Sequence, residues 1–268
     1  MAEAQAVSWP HVLASLISKR WWWVSILVLI GMGIMVRLGI WQLDRLEWRR
    51  GLNADISAQL TADPLVLSPE TTTAEFEAIA FRQVTARGHY DLEGQFVLLQ
   101  QNYNGQAGVF LFAPLLLEDD DRAILVNRGW LPADQDTAAD WAAYDDTSLV
   151  EVTGFVQDSL KPPRVTLADY TNDVANPVQQ WFWPYIAAIQ QQYPYELFPA
   201  YIQVEPDLSE QPTLPFPVAS EVDLSEGNHQ SYAYQWFAFA LTLGVIYLFL
   251  VRRQESSRSV EANESQAG

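Results

Sequence analysis

The sequence predicts a membrane protein in which two transmembrane α-helices flank one extracytoplasmic α+β domain, dominated by an antiparallel sheet or a partly closed β-barrel. Three observations carry that expectation. Two apolar runs stand near opposite ends of the 268 residues, one over 21–36 that continues past Arg37 to Trp41, the other over 232–251. At about 1.5 Å per residue each makes a helix of roughly 30 Å, the thickness of a bilayer's hydrocarbon core. Between them the chain is acidic and breaks into short β-like runs separated by turn residues. The resulting division is a cytoplasmic tail over 1–19, a first span over 20–43, a mostly-β domain over 44–227, a second span over 228–251 and a cytoplasmic tail over 252–268.

Residues 1–19 read as a short mobile tail. Trp21, Trp22 and Trp23 resemble an interfacial aromatic anchor, and Gly31 and Gly33 offer small surfaces for a neighbouring helix. The first apolar run is too long for a signal-peptide core. Gly39, Ile40, Trp41 and Gln42 make no small-x-small cleavage site, so an uncleaved anchor is expected. The helix continues to about Leu52. Residues 81–87 alternate with a period of two and stop at Gly88; further strands are expected over 95–101, 109–117, 123–127, 151–157 and 199–205. Asn102, Tyr103, Asn104 and Gly105 form a turn. Pro114 marks an edge or a bulge, and 118–121 is a charged turn. Residues 133–146 are a surface helix or loop, 181–193 a helix entered through Pro184, and 206–217 an extended proline-rich segment. Strands at turn-like spacing point to the sheet or barrel named above.

The chain carries 33 Asp and Glu against 15 Lys and Arg, a formal charge of −18, and over 51–231 the balance is 27 to 6. Such a surface repels phosphate backbones, so no nucleic-acid partner is expected. The absence of cysteine excludes disulfides, thiolate metal sites and a cysteine nucleophile. His11, His89 and His229 are far apart in sequence, so there is no compact multi-histidine metal motif. No G-x-S-x-G, P-loop or G-x-G-x-x-G pattern occurs, and a non-catalytic protein is expected. Lys19, Arg20, Arg252 and Arg253 flank the spans on the side of the termini and favour a cytoplasmic location for both. Arg37, Arg45, Arg49 and Arg50 weigh the other way. The expected setting is a bacterial inner (plasma) membrane, with the domain facing the periplasm.

Two residue clusters can carry chemistry. Asn228 is a good N-cap, which puts His229 in the first helical turn, where the dipole disfavours a cationic ring. Helical spacing sets Tyr232, Ala233 and Trp236 on the face of His229. One imidazole nitrogen, a small neighbour and aromatic walls suit a flat porphyrin; equally, the group reads as an interfacial aromatic belt without a ligand. At the exit of the first span Arg37, Trp41, Arg45 and Trp48 share a face. Arginines grip carboxylates such as porphyrin propionates, and tryptophan supplies a flat apolar surface; the same stripe also reads as snorkelling arginines beside an aromatic belt.

Five blocks, in order, resemble the Surfeit locus cytochrome c oxidase assembly factor family. They are the post-span run 39–49; Phe81, Arg82, Gln83 and Val84 with Gly88, His89 and Tyr90; the G-x-x-G segment from Gly105 running into Pro114; the run 125–132 containing Asn127, Arg128, Gly129 and Trp130; and Asn228, His229, Tyr232, Ala233, Trp236 and Phe237. The resemblance implies an outer domain on two spans and a role in maturing haem-copper oxidase. It implies haem a delivery to the large catalytic subunit, with His229 as the ligand of the N-H-x-x-Y-A motif. The partners expected with it are the oxidase large subunit, the lipid bilayer and, as a further candidate, haem a synthase. On this reading the spans lie side by side, His229 and Trp236 stand across from Trp41 and Arg45, and Arg128 and Trp130 sit at a strand end facing the junction. The competing reading is a non-haem scaffold that holds an apo-oxidase subunit. A membrane-anchored hydrolase lacks any recognisable nucleophile and base.

Overall fold

The computed structural model describes residues 8–170, 174–175, 177–206 and 213–267. Parts of the 169–180 loop and of the expected extended segment 206–217 lie outside the described residues. The chain divides into a helical unit, comprising the residues up to Asn53 and from Leu224, and a sheet unit, Ala54–Asp223.

In the helical unit, α1 (Trp9–Ser15) precedes the long α2 (Trp22–Leu60), and α6 (His229–Ala267) runs to the end of the described residues. Both α2 and α6 contain stretches long and apolar enough to cross a membrane. The expected tail 1–19 therefore holds a helix: Pro10 sits in its first turn, where the missing N–H costs nothing. Val12 packs in a cluster with Trp21, Tyr247 and Val251, and the Arg252 guanidinium lies 4.6 Å over the Trp9 ring. The second expected tail is likewise helical. Residues 252–267 contain neither glycine nor proline to stop the helix.

The sheet unit is built on an eight-stranded sheet whose five central members close on themselves. The strands are β1 (Leu65–Val66), β2 (Gln83–Tyr90), β3 (Phe96–Tyr103), β4 (Gln106–Leu117), β5 (Ala123–Pro132), β6 (Val150–Asp158), β7 (Gln180–Trp181) and β8 (Leu197–Val204). The ring runs β2-β6-β8-β5-β4 and back to β2. The barrel is thus closed rather than partly closed. Nor is it purely antiparallel, because β5 and β8 pair in parallel. Closure depends on β4, which pairs with β3 over its first half and with β2 near its end. Pro114 lies at the changeover and is neither an edge residue nor a bulge. Its carbonyl accepts from the Asp91 N–H, so its own nitrogen faces the same side, where one partner strand has ended and the next has not begun.

Alternate residues of all five strands fill the barrel: Val84 and Ala86, Leu115, Ile124 and Val126, Val152 and Val156, Ala200 and Ile202. Phe76, from the short helix α3 (Thr73–Glu77), closes one end against Phe198, with ring centroids 4.9 Å apart. A second core covers the outer face of β3 to β5 with Trp181, Ile186, Ile189 and Tyr193. The expected helix 181–193 is reduced to one turn, α5 (Ile186–Ile189), followed by a 3₁₀ turn. Trp181 is spent on pairing β7 with β3. Gly88 does not end its strand but lies inside β2, opposite Leu117 of β4.

Burial pushes Tyr90 and Tyr201 up to about 12. Tyr193 and Tyr195 are shifted upward too, Tyr195 also through its hydrogen bond to Asp91. The phenolate is disfavoured in the folded sheet unit and free in the unfolded chain, whose tyrosines ionise near 10. This contribution to stability is complete below pH 10 and is lost as the pH rises through 12. Near-ultraviolet circular dichroism is expected to collapse between those values, together with the tyrosinate absorbance.

Candidate functional site

The two long helices pack as an antiparallel pair. Ser25 meets Tyr247 at 2.6 Å and Gln42 meets His229 at 2.8 Å; just outside the helices Trp21 Nε1 donates to Glu255 of α6, and Arg50 of α2 holds Glu226, before α6, in a bidentate pair. Outside the apolar stretches the Arg50 guanidinium holds the Glu226 carboxyl below its ordinary range. The inward residues of α2 recur at Gly39, Gln42 and Leu46, in steps of three and four, and one and two turns on Arg49 and Asn53 donate to the carbonyls of Ser225 and Leu224 in the segment before α6. Those of α6 recur at His229, Ala233, Trp236, Ala240 and Leu243. This is the spacing of a left-handed pair. Glycines make room for side chains across the seam: a Cβ on Gly39 would lie 2.5 Å from the Phe237 ring, and one on Gly244 3.1 Å from Met32. Gly31 faces α6 as expected; Gly33 meets nothing and faces away.

At one end of this seam Asn228 gives its carbonyl to the Tyr232 N–H and α6 begins at His229. The imidazole is half-buried. Its Nδ1 lies 2.8 Å from Gln42 Oε1, while no group among the described residues bonds Nε2. Gly227 stands beside that free edge: a Cβ there would come within 3.8 Å of Nε2. Ala233 is fully buried one turn on, Trp236 is half-buried, and Phe239 meets Trp236 edge-on at 6.1 Å.

Sequence reasoning expected Trp41 and Arg45 directly across from His229. The structure puts Gln42 there instead. Successive helical residues diverge by about 100°, so Trp41 and Arg45 cannot share the inward line of Gln42 and Leu46. On α2, Gly39, Gln42 and Leu46 take the inward line and the neighbouring tryptophan and arginine are turned out: Trp41 is 49 % exposed, and the Arg45 guanidinium lies 3.9 Å over the Trp48 ring. Arg37 is exposed and reaches Asp44 at 3.9 Å. Arg45 and Tyr232 each precede a seam residue, Leu46 and Ala233. In an antiparallel pair such positions border the same side of the seam. Arg45, Trp41 and Trp48 therefore share a flank with Tyr232, one turn from His229, and with Phe239, nearly three turns from it.

Arg128 belongs to the sheet unit and lies inside β5 rather than at its end. Leu111 pairs with Gly129 and Phe112 with Asn127, so Arg128 is the extra residue of a β-bulge. The bulge turns its side chain onto Gln95 at 2.8 Å, the Tyr144 carbonyl and the Tyr90 ring at 4.7 Å. Burial pushes the guanidinium below its ordinary value, with Tyr90, Asp145 and Asp146 opposing. The Asn127 side chain accepts from the Gly129 N–H and donates to Gln203. Trp130 stacks parallel on Phe216 and exchanges two backbone hydrogen bonds with it. Gly108 leaves room for this ring, since a Cβ there would lie 2.2 Å from Trp130 Nε1. His89 is exposed, with Nδ1 3.1 Å from the Ser148 carbonyl.

Gln42 and Gly227 were not singled out from sequence. The available signals were a neutral amide within the otherwise apolar or charged stretch 38–45 and a glycine two residues before the histidine.

Two long apolar helices that flank a closed five-stranded barrel in the sequence, with a histidine at the helix seam, define the class of protein. The model of the SURF1 family matches residues 29–241, and the chain belongs to that family. It is 28 % identical to a SURF1-like protein of Rickettsia felis over 85 % of this chain and 96 % of that protein. It is 22 % identical to a SURF1-like protein of Caenorhabditis elegans over 88 % of this chain and 76 % of that one. Over 35 % of this chain it is 33 % identical to the yeast protein named cytochrome oxidase assembly protein SHY1, and that match spans 24 % of the yeast protein.

Proposed function

We propose that this protein is a non-catalytic assembly factor of the inner membrane. It binds haem a at the seam of its two spans and assists insertion of that haem into the large subunit of a haem-copper cytochrome c oxidase. Family membership and the name of the yeast relative support the oxidase assembly role. The observation that carries the haem reading is the free Nε2 of His229. The ring is anchored through its other nitrogen, bordered by Gly227, and sits at the edge of an aromatic flank.

The donor set fits haem a. An imidazole nitrogen is an axial ligand for its iron, Tyr232, Trp236 and Trp41 offer apolar and aromatic surface, and Arg45 offers a guanidinium for a propionate. Bound there, haem a would be cargo on its way to the oxidase, where its iron carries electrons. The residues of this chain hold, orient and release it; Arg128, within the sheet unit, is held by Gln95 and the Tyr144 carbonyl against the Tyr90 ring. The domain faces the periplasm, both termini lie in the cytoplasm, and the partners are the oxidase large subunit and, for loading, haem a synthase.

Removing the protein from its host is expected to leave the large subunit in the membrane with a several-fold loss of haem a, measured per subunit by pyridine haemochrome spectra. Restoration by the full chain supports the reading. An unchanged haem a content in the deletion strain contradicts it.

A further inference from the structure

We propose that Gln42 is the positioning residue of the site: it fixes the tautomer of His229 and leaves Nε2 as the ligating atom. This rests on the haem reading for its purpose but not for its chemistry. The amide oxygen of Gln42 lies 2.8 Å from Nδ1. An acceptor can meet only a donor at that distance, so Nδ1 carries the proton of the neutral ring. The lone pair is then on Nε2, on the edge beside Gly227, which no described group occupies. The contact crosses the seam from α2 to α6, so the ligand's orientation is coupled to the pairing of the two helices. Gly39 against Phe237, one turn away, holds that pairing. A second group that bonds the other ring nitrogen is how ligating histidines are usually aimed, and removing it typically costs 10- to 100-fold in affinity. A charged partner would do the same with a net charge at the membrane edge; the neutral amide avoids that cost.

The test is nitrogen NMR of the full chain in nanodiscs, with only histidine labelled. The chain has three histidines, and His229→Ala assigns the signal. In the haem-free protein, at a pH where the ring is neutral, His229 is expected to show a protonated Nδ1 and an unprotonated Nε2. Gln42→Leu keeps an apolar side chain of similar length in the seam and is expected to mix the tautomers and weaken haem a binding about tenfold. Gln42→Glu retains the acceptor and is expected to keep the Nδ1–H form. A proton on Nε2 in the unaltered protein, or an unchanged tautomer in Gln42→Leu, overturns the assignment. The two readings fail separately. An Nδ1–H ring in a protein that takes up no haem a refutes the haem reading alone. An Nε2–H ring in a protein that binds haem a refutes only the role of Gln42.

Discussion

His229→Ala, purified from cells that make haem a, is expected to carry no more than about a tenth of the haem found in the unaltered protein and to lack the band of an imidazole-ligated iron. The size of the effect follows from the absence of a substitute. His229 is the imidazole at the seam, the other two histidines lie elsewhere, and cysteine is absent. Residual haem would rest on apolar contact with Trp236, Tyr232 and Trp41 and would be readily removed by detergent. The helices should stay paired in the variant. The seam is held independently by Gly39 against Phe237, Ser25 against Tyr247 and Arg50 with Glu226, and alanine is a good helix former. Equal haem content and an equal spectrum in the variant would remove the ligand assignment and leave a scaffold that holds an apo-subunit.

Gly129→Ala is expected to destabilise the sheet unit by about 3 to 4 kcal/mol. Two costs add. Gly129 has φ +140°, a conformation that L side chains rarely adopt. The new methyl would also lie 2.6 Å from the backbone of Phe216, which cannot retreat because it exchanges hydrogen bonds with Trp130. The bulge that aims Arg128 and the stack of Trp130 on Phe216 would be lost together. For a unit of this size the loss corresponds to a fall in melting temperature of roughly 10 °C, read by tryptophan fluorescence. An unchanged midpoint would contradict the account of the 127–130 segment.

The helices were legible because their information is local. Apolar length gave both long helices, and Asn228 before His229 gave the start of α6. Their far ends were missed because the polar continuations, 53–60 and 252–267, carry good helix formers and no glycine or proline; α2 stops only ahead of Asp63 and Pro64. Most strands were legible from alternation and turn residues, and Asn104 and Gly105, both at positive φ, make the expected turn between β3 and β4. Barrel closure was not legible, since the pairing of β2 with β4 and of β5 with β8 joins segments far apart in sequence. At the site, the stripe of Trp41, Arg45 and Trp48 was correctly seen as a shared face, but sequence does not say which face meets a partner. Gly39, Gln42 and Leu46 were equally visible as a row of small and neutral residues, and between apolar helices that is the row that packs.

The central claim is that one haem a binds each chain through His229. Its most direct measurement is a titration of the purified, haem-free full chain with haem a, followed by absorption spectroscopy. The account predicts a single saturating transition at one haem per chain, with the spectrum of an imidazole-ligated iron that disappears in His229→Ala. Absorbance that rises without saturation, or the same transition in both proteins, would contradict it.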